Sequence, residues 1–270
     1  MVGESAAPQA QRVDARWIMA YSAALGETDC RYYNTAAPHG VLAHPLFPVC
    51  YEWPLAQPLR DLAALRPLFA RLLHAQHDLM LHRPVRAGET LSVSGRIVAV
   101  AQRRPGAFVV FRFESRDAAG APVTTSDAGM LYRGVQIDQA RGEVEEPPAS
   151  APALSAVGEI HVAATAAHTY TECARIWNPI HTDIAFARAA GLPGLILHGT
   201  ATLALSVSRA LGALGCDPAQ VRRVRCRFAG MVPMPTTLSV KGTRNGNEIS
   251  FETRNEGGEA VITRGSIGLE

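Results

Sequence analysis

The sequence lacks several patterns that mark common functional classes. Its five cysteines include no C-x-x-C pair, and it has no glycine-rich phosphate loop, no nucleophile elbow and no dinucleotide fingerprint. No uninterrupted apolar run reaches the roughly 18 residues that a membrane span requires. The 26 basic and 24 acidic residues lack the strong basic excess that is typical of nucleic-acid-binding domains. We therefore expect no metal, no nucleotide cofactor, no membrane and no nucleic acid as partners.

The cysteines and the first residues indicate a compartment. The five cysteines are odd in number and scattered, which favours reduced thiols in a cytosolic protein. Residues 1–13 are polar and rich in small side chains, without the apolar core of a signal peptide. We expect this segment to be a flexible tail and the protein to be cytoplasmic.

The composition is that of a globular protein. Apolar residues make up 47% of the 270 positions and charged residues 19%, which places the chain away from disordered sequences. This length allows one large domain or two modest ones with a full core.

Short sequences recur in the same order in the two halves. Thr-Leu-Ser-Val-Ser-Gly at 90–95 returns as Thr-Leu-Ser-Val-Lys-Gly at 237–242, and Phe-Glu-Ser-Arg-Asp at 113–117 returns as Phe-Glu-Thr-Arg-Asn at 251–255. Upstream, each half has an apolar triplet that ends in His44 or His198, just before a candidate helix. Ordered matches of this kind indicate duplicated α+β units.

Periodicity supports the same division. Helical spacing predicts helices at 14–25, 166–174 and 200–214, and a helical region at 47–73 that Pro54, Pro58 and Pro67 interrupt. Alternating or β-branched runs predict strands at 79–84, 90–100, 108–116, 123–133, 158–164, 221–228, 237–242, 248–254 and 260–268. We predict an N-terminal unit at 14–138, a linker rich in Glu, Pro and Ala at 139–155, and a C-terminal unit at 156–270.

One stretch combines groups suited to chemistry. In Asn-Pro-Ile-His at 178–181, proline biases the asparagine away from helix and sets a turn that can hold the imidazole of His181 facing a cavity. The near-neutral pKa of histidine suits proton exchange at physiological pH. Downstream, His198-Gly199 opens a helix whose first N–H groups lack intrahelical partners and lie at the positive end of its dipole.

These motifs resemble the signature of the MaoC-like hydratases, the R-specific enoyl-CoA hydratases of the hotdog fold. The resemblance implies an α+β double hotdog, in which two antiparallel sheets each wrap round a central helix. It also implies reversible hydration of a 2-enoyl thioester in fatty acid metabolism without a redox cofactor, and a Gly199 N–H that polarises the thioester carbonyl. Asn178 would orient substrate or water, or stabilise the turn through its own side chain.

The chain departs from the family pattern at one position that matters. The family has a catalytic aspartate two residues before the asparagine, where this chain has Ile176, and Arg175 replaces the preceding glycine. Glu172, Asp183 or Asp29 could then share proton transfer with the histidine, although Asp183 also suits a helix cap. Without such a partner, the alternatives are a non-catalytic acyl-CoA-binding or assembly subunit, and less favourably a thioesterase.

The remaining candidates concern substrate binding. Strand alternation places Arg223, Arg225 and Arg227 on one face, where they could contact the phosphates of coenzyme A or form a solvated surface. His44 is followed by Pro45 and not by glycine, so we expect the first half to have lost chemistry and to shape an acyl tunnel. The expected partner is an acyl-CoA or acyl-carrier-protein thioester, with a homodimer as a further possibility.

Overall fold

The computed structural model describes residues 1–149 and 153–270, and its helices and strands occur as two similar sets. The first set is β1 (Ser5–Arg12), α1 (Ala15–Ala24), α2 (Pro48–Arg60), β2 (Leu72–Leu81), β3 (Thr90–Arg103), β4 (Gly106–Arg116) and β5 (Pro122–Arg133). The second set is β6 (Ser155–Val162), α3 (Ala166–Ala174), α4 (Ile184–Ala189), α5 (Gly199–Ala213), β7 (Val221–Phe228), β8 (Thr236–Asn245), β9 (Glu248–Arg254) and β10 (Ala260–Leu269). Short 3-10 helices lie at Cys30–Tyr32, Arg66–Arg71, Pro179–His181 and Pro218–Gln220.

The strands form one antiparallel sheet across both halves. Its order is β1-β3-β4-β5-β2-β7-β10-β9-β8-β6, so each half contributes five neighbouring strands and the halves join where β2 pairs with β7. The strand order of the second half mirrors that of the first half. This arrangement is the predicted α+β double hotdog, and it confirms the internal repeat.

The long helix of each half fills the curve of its own sheet. α2 packs against β1, β3 and β4, and α5 packs against β6, β8 and β9. The apolar side chains that face the sheet, such as Leu55 on α2 and Leu203 on α5, have no solvent exposure. Each such side chain contributes roughly 1.5–3 kcal/mol of burial free energy, so both helices are fixed by tertiary packing.

The expectation of a flexible tail at residues 1–13 is wrong over most of that segment. Residues Ser5–Arg12 form β1, which pairs with β3 in a register that includes Ala6 opposite Gly95. Val13 is fully buried, and its N–H donates to the carbonyl of Glu89 at 2.8 Å. The segment is an edge strand in which Ala6 is buried and the remaining side chains are small or polar, so its composition resembled that of a loop.

The connection between the halves is tied to the sheet over its described part. Arg141 exchanges two backbone hydrogen bonds of 2.8 Å with Val100, and Gln76 donates from Nε2 to the carbonyl of Glu145 at 2.6 Å. Residues 150–152 of the predicted linker lie outside the described ranges, and β6 begins at Ser155.

Two further expectations differ from the structure. α2 continues through Pro54 and Pro58 because burial of the helix outweighs the hydrogen bonds that the prolines remove. β2 begins at Leu72, not at residue 79.

No helix in the described ranges has the length and apolar character needed to cross a bilayer.

Candidate functional site

His181 is held by a short turn between α3 and α4. α3 ends where Arg175 takes a left-handed conformation with φ of 60°, which turns the chain toward the 3-10 helix Pro179–His181. The side-chain oxygen of Asn178 caps that helix by accepting from the N–H of Ile180 at 3.4 Å. This contact supports the turn-stabilising role for Asn178, the second of the two interpretations that the sequence left open.

The hydrogen bond of His181 defines its tautomer. Nδ1 lies 2.9 Å from the carbonyl oxygen of Ile196, and because a carbonyl only accepts, Nδ1 carries the proton of the neutral ring. Nε2 is then the basic nitrogen, and no hydrogen bond from the described residues engages it. Burial lowers the pKa of His181 to about 4, with a further contribution from the positive charge of Arg60. The ring is therefore neutral at physiological pH and can accept a proton.

A second imidazole lies directly against the first. The rings of His181 and His198 stack with centroids 3.7 Å apart and planes 27° apart. His198 is buried, and its Nε2 lies 3.2 Å from the hydroxyl of Thr171. Burial lowers the pKa of His198 well below its usual value, and the neighbouring His181 lowers that pKa further. The stack fixes the plane of the His181 ring.

The N-terminus of α5 lies beside this stack because His198 is the residue that precedes the helix. The N–H of Gly199 has no acceptor within its own helix. A Cβ atom at Gly199 would lie 3.4 Å from the ring of Phe228, at ordinary van der Waals contact, so this ring lies beside the helix terminus. The His181 ring thus stacks on the residue that precedes Gly199, while the catalytic role of His181 and the carbonyl-polarising role of Gly199 stay predictions.

The predicted carboxylate partners are positioned for other contacts. Ile176 is buried and carries no proton. Asp183 accepts from two backbone N–H groups in the first turn of α4, at 2.8 and 3.1 Å, and is its N-cap. Asp29 caps the 3-10 helix Cys30–Tyr32 and binds the guanidinium of Arg31 at 3.0 Å, while Glu172 is exposed. Over the described ranges, none of these carboxylates hydrogen-bonds the ring of His181.

The three arginines of β7 have carboxylate partners. Each forms an ion pair across the sheet or with the inter-half connection: Arg223 with Asp78 and Glu145, Arg225 with Glu248, and Arg227 with Glu146. This arrangement supports the alternative in which they form a solvated surface. Contacts with coenzyme A phosphates would have to displace these pairs.

The sequence interpretation missed a buried polar network in the first half. Nδ1 of His44 accepts from the N–H of Leu46 at 3.0 Å, so Nε2 carries the proton and donates to Ser208 Oγ, also at 3.0 Å. Ser208, on α5 of the second half, donates in turn to the carboxylate of Glu27. Burial raises the pKa of Glu27, although the Ser208 hydrogen bond acts in the opposite direction.

This network occupies the place that corresponds to the His181 site. Gly26, with φ of 70°, ends α1 as Arg175 ends α3, and a capped 3-10 helix follows in both halves. Counting forward from Gly26 and Arg175 pairs Glu27 with Ile176 and Tyr32 with His181. Pro45 and Gly199 correspond because each follows the histidine that precedes α2 or α5. The first half has the carboxylate but neither the basic imidazole nor the backbone donor. The short sequence repeats did not reveal the Glu27–Ile176 pair, because their spacing differs from the spacing of these two residues.

Comparisons with known proteins find similarity in both halves of the chain. Residues 150–264 match the MaoC like domain, and residues 1–126 match the FAS1-like dehydratase domain region. The peroxisomal multifunctional enzyme type 2 of Drosophila melanogaster is 30% identical over 209 residues, which are 75% of this chain and 35% of that protein. The peroxisomal enoyl-CoA hydratase 2 of Arabidopsis thaliana is 28% identical over 95 residues, or 34% of this chain and 30% of that protein.

A solved structure extends the similarity to the whole chain. The crystal structure of a MaoC-like dehydratase from Phytophthora capsici has a TM-score of 0.86 and 19% identity, covering 100% of this chain and 97% of that one. At that identity the likeness concerns the fold. The chain spans 35% or less of the length of the first curated relatives that it matches.

Proposed function

The chain belongs to the MaoC-like dehydratase family, and from that premise we propose that it reversibly hydrates a 2-enoyl-CoA thioester to the 3-hydroxyacyl thioester. The observation that carries this proposal is the neutral His181 ring, with its basic Nε2 unengaged, beside the free N–H at the start of α5. The name of the Arabidopsis relative, enoyl-CoA hydratase 2, supports the same reaction class.

The reaction follows from these two groups. Nε2 of His181 accepts a proton from water while the water oxygen bonds to C3 of the enoyl group. The C2=C3 electrons move toward the thioester carbonyl, and the N–H of Gly199, at the positive end of α5, stabilises the enolate oxygen that forms. The protonated ring then delivers the proton to C2, which restores the neutral base and completes addition of water.

His181 works in this scheme without the family aspartate. In relatives with that aspartate, two side chains share the proton transfers, whereas the buried Ile176 can move no proton. One general acid–base group contributes roughly 10²–10⁴-fold to a rate. We therefore expect turnover that is slow for the family but measurable.

We predict that His181→Ala abolishes loss of the enoyl-thioester absorbance with crotonyl-CoA. The substitution removes the base and leaves the carbonyl acceptor of Ile196 facing a small side chain. His161→Ala is the matched control, because His161 lies on β6, is exposed and hydrogen-bonds Thr237. Full activity of His181→Ala would contradict the proposal, and release of free thiol would indicate hydrolysis of the thioester.

One set of observations favours a second function, a non-catalytic acyl-CoA-binding subunit. Ile176 replaces the family acid, and Asp183 and Asp29 serve as caps. This alternative predicts tight acyl-CoA binding by calorimetry without turnover of crotonyl-CoA or of a branched analogue.

The carrier, the assembly and the compartment belong to the same proposal. We propose coenzyme A as the carrier, because curated relatives are named enoyl-CoA hydratases; an acyl carrier protein is the alternative. A homodimer and the cytoplasmic location remain predictions, and relatives named peroxisomal occur among the matches.

A further inference from the structure

Arg60, at the C-terminal end of α2, is a positive charge without a counterion. Its guanidinium lies over the ring of Trp53, 4.7 Å from the centroid. Nε is buried and has no hydrogen-bond partner, and in the described part of the chain no carboxylate forms an ion pair with the side chain. Burial lowers the pKa of Arg60 to about 10, so it stays protonated at neutral pH. The residue as a whole is half-buried, so its charge is only partly solvated.

Tyr132 and His74 lie close enough to Arg60 to interact with its charge, and polar atoms of this region also lack partners. Nε2 of His74, both ring nitrogens of His77 and the hydroxyl of Tyr132 are buried without a hydrogen bond to a described residue. His77 and Tyr132 are each only 1% exposed, and the His74 and His77 rings lie 5.5 Å apart. Protein interiors leave few buried polar atoms unsatisfied. Several of them in one region indicate that a polar ligand group completes it.

This region borders the proposed active site. The ring of His74 lies 4.7 Å from the ring of Phe228, and Phe228 is the residue that a side chain at Gly199 would touch. The positive charge of Arg60 also lowers the pKa values of both His181 and His74. Arg60, His74, His77 and Tyr132 all come from the first half, whose predicted role is to shape the acyl tunnel.

The charge in this region matches a monovalent anion. Burial lowers the pKa of His77 to about 4 and that of His74 well below its usual value, so both rings are neutral and can donate an N–H without adding charge. Tyr132 can donate its hydroxyl. One guanidinium and neutral donors suit one carboxylate, which arginine binds through two parallel hydrogen bonds.

We propose that Arg60, with His74, His77 and Tyr132, binds a carboxylate on the acyl group, so that the substrate is a monothioester of an unsaturated dicarboxylic acid. This inference rests on the proposed hydration reaction and names its substrate class. The carboxylate supplies the counterion that Arg60 lacks and anchors the acyl group while the enoyl carbons lie at His181.

Two substrates of equal length test the proposal. Fumaryl-CoA carries a carboxylate where crotonyl-CoA carries a methyl group. The wild-type chain should favour fumaryl-CoA in kcat/KM, and Arg60→Gln should lower kcat/KM for fumaryl-CoA by about 100-fold, the effect of breaking a buried charge pair. The change in crotonyl-CoA turnover should be much smaller, because with that substrate Arg60 acts only through the pKa of His181. Arg60→Lys keeps the charge without the planar fork and should fall between, and Arg66→Gln, whose side chain is 71% exposed, is the control.

The outcomes separate this inference from the proposed reaction. Equal losses on both substrates would overturn the carboxylate site, because Arg60 would then act on a part common to both thioesters or on folding. Crotonyl-CoA turnover without preference for fumaryl-CoA would also overturn it, while hydration stands. If neither is hydrated, but succinyl-CoA binds more tightly than butyryl-CoA in calorimetry and Arg60→Gln removes the difference, the site stands and hydration falls. If Arg60→Gln does not fold, Tyr132→Phe serves in its place. It removes one donor hydroxyl and must lower kcat/KM for fumaryl-CoA more than for crotonyl-CoA.

Discussion

The two nitrogens of His181 have separate roles that the backbone assigns. The Nδ1–H of His181 donates a hydrogen bond to the carbonyl of Ile196, and the stacked ring of His198 limits rotation of the imidazole. Because burial lowers the pKa of His181 to about 4, the base is present throughout the neutral range and remains a weak one. The proposed site has one weak base and no carboxyl partner. Ile176, which stands where the family has its aspartate, is therefore the position at which to add one.

We predict that Ile176→Asp raises kcat for crotonyl-CoA about tenfold or more. The substitution adds the second acid–base group of the family pattern, and such groups contribute roughly 10²–10⁴-fold when fully aligned. The new carboxyl group is buried, so a fall in melting temperature should accompany the gain. Ile176→Asn is the matched control, since it has the same shape as aspartate but cannot exchange a proton. A folded Ile176→Asp with unchanged kcat would show that another group already fills this role.

At the scale of the element, α2 has a titratable group inside its packed face. Glu52 is 4% exposed, and its Oε2 accepts from the hydroxyl of Ser126 at 2.9 Å. Burial raises the pKa of Glu52 from 4.5 to about 8, against the effect of the Ser126 hydrogen bond. Because the pKa of Glu52 is higher in the folded state than in the unfolded state, its protonated form contributes to the free energy of unfolding. That contribution is complete below pH 4.5 and is lost as the pH rises through about 8.

Glu52→Gln should therefore remove part of the pH dependence of stability. The amide keeps an acceptor for Ser126 and does not ionise. Between pH 5 and pH 9 the wild type should lose on the order of 4 kcal/mol of unfolding free energy from this group, and the variant should not. Urea denaturation at both pH values measures the difference. A parallel decline in the two proteins would rule out Glu52 as its source.

Residue alternation and helical spacing predicted some helices and strands with their observed bounds. The strands Val221–Phe228 and Glu248–Arg254 and the helix Ala166–Ala174 have the predicted bounds. β1 escaped prediction because its partner strand lies about 80 residues away, and edge-strand composition resembles that of a loop.

The motif likewise located His181 and the start of α5, but tertiary structure determines the rest of the site. Whether Arg60 has a partner depends on residues that are distant in the sequence. Whether Asp183 can take part in catalysis depends on its use as the N-cap of α4. Spacing alone carries neither kind of information.

At the scale of the whole molecule, corresponding positions of the two halves carry different polar groups. The second half keeps the imidazole and the backbone donor, while the first half keeps a carboxylate at Glu27 and bonds it to Ser208 of the other half. The halves also meet where β2 pairs with β7 and where Tyr21 contacts Tyr170, whose ring centroids are 5.7 Å apart. We therefore expect the two halves to unfold as one cooperative unit.

Ser208→Ala should destabilise the whole chain as that unit. The substitution leaves the buried Nε2–H of His44 without an acceptor, and such a loss costs about 1–3 kcal/mol. We expect a single unfolding transition at a lower midpoint, because the second-half residue Ser208 holds first-half groups. Ser239→Ala is the control, since this half-buried serine lies on β8 within the second half. Two separate transitions in Ser208→Ala, or a midpoint equal to that of the control, would show that the halves fold independently of this network.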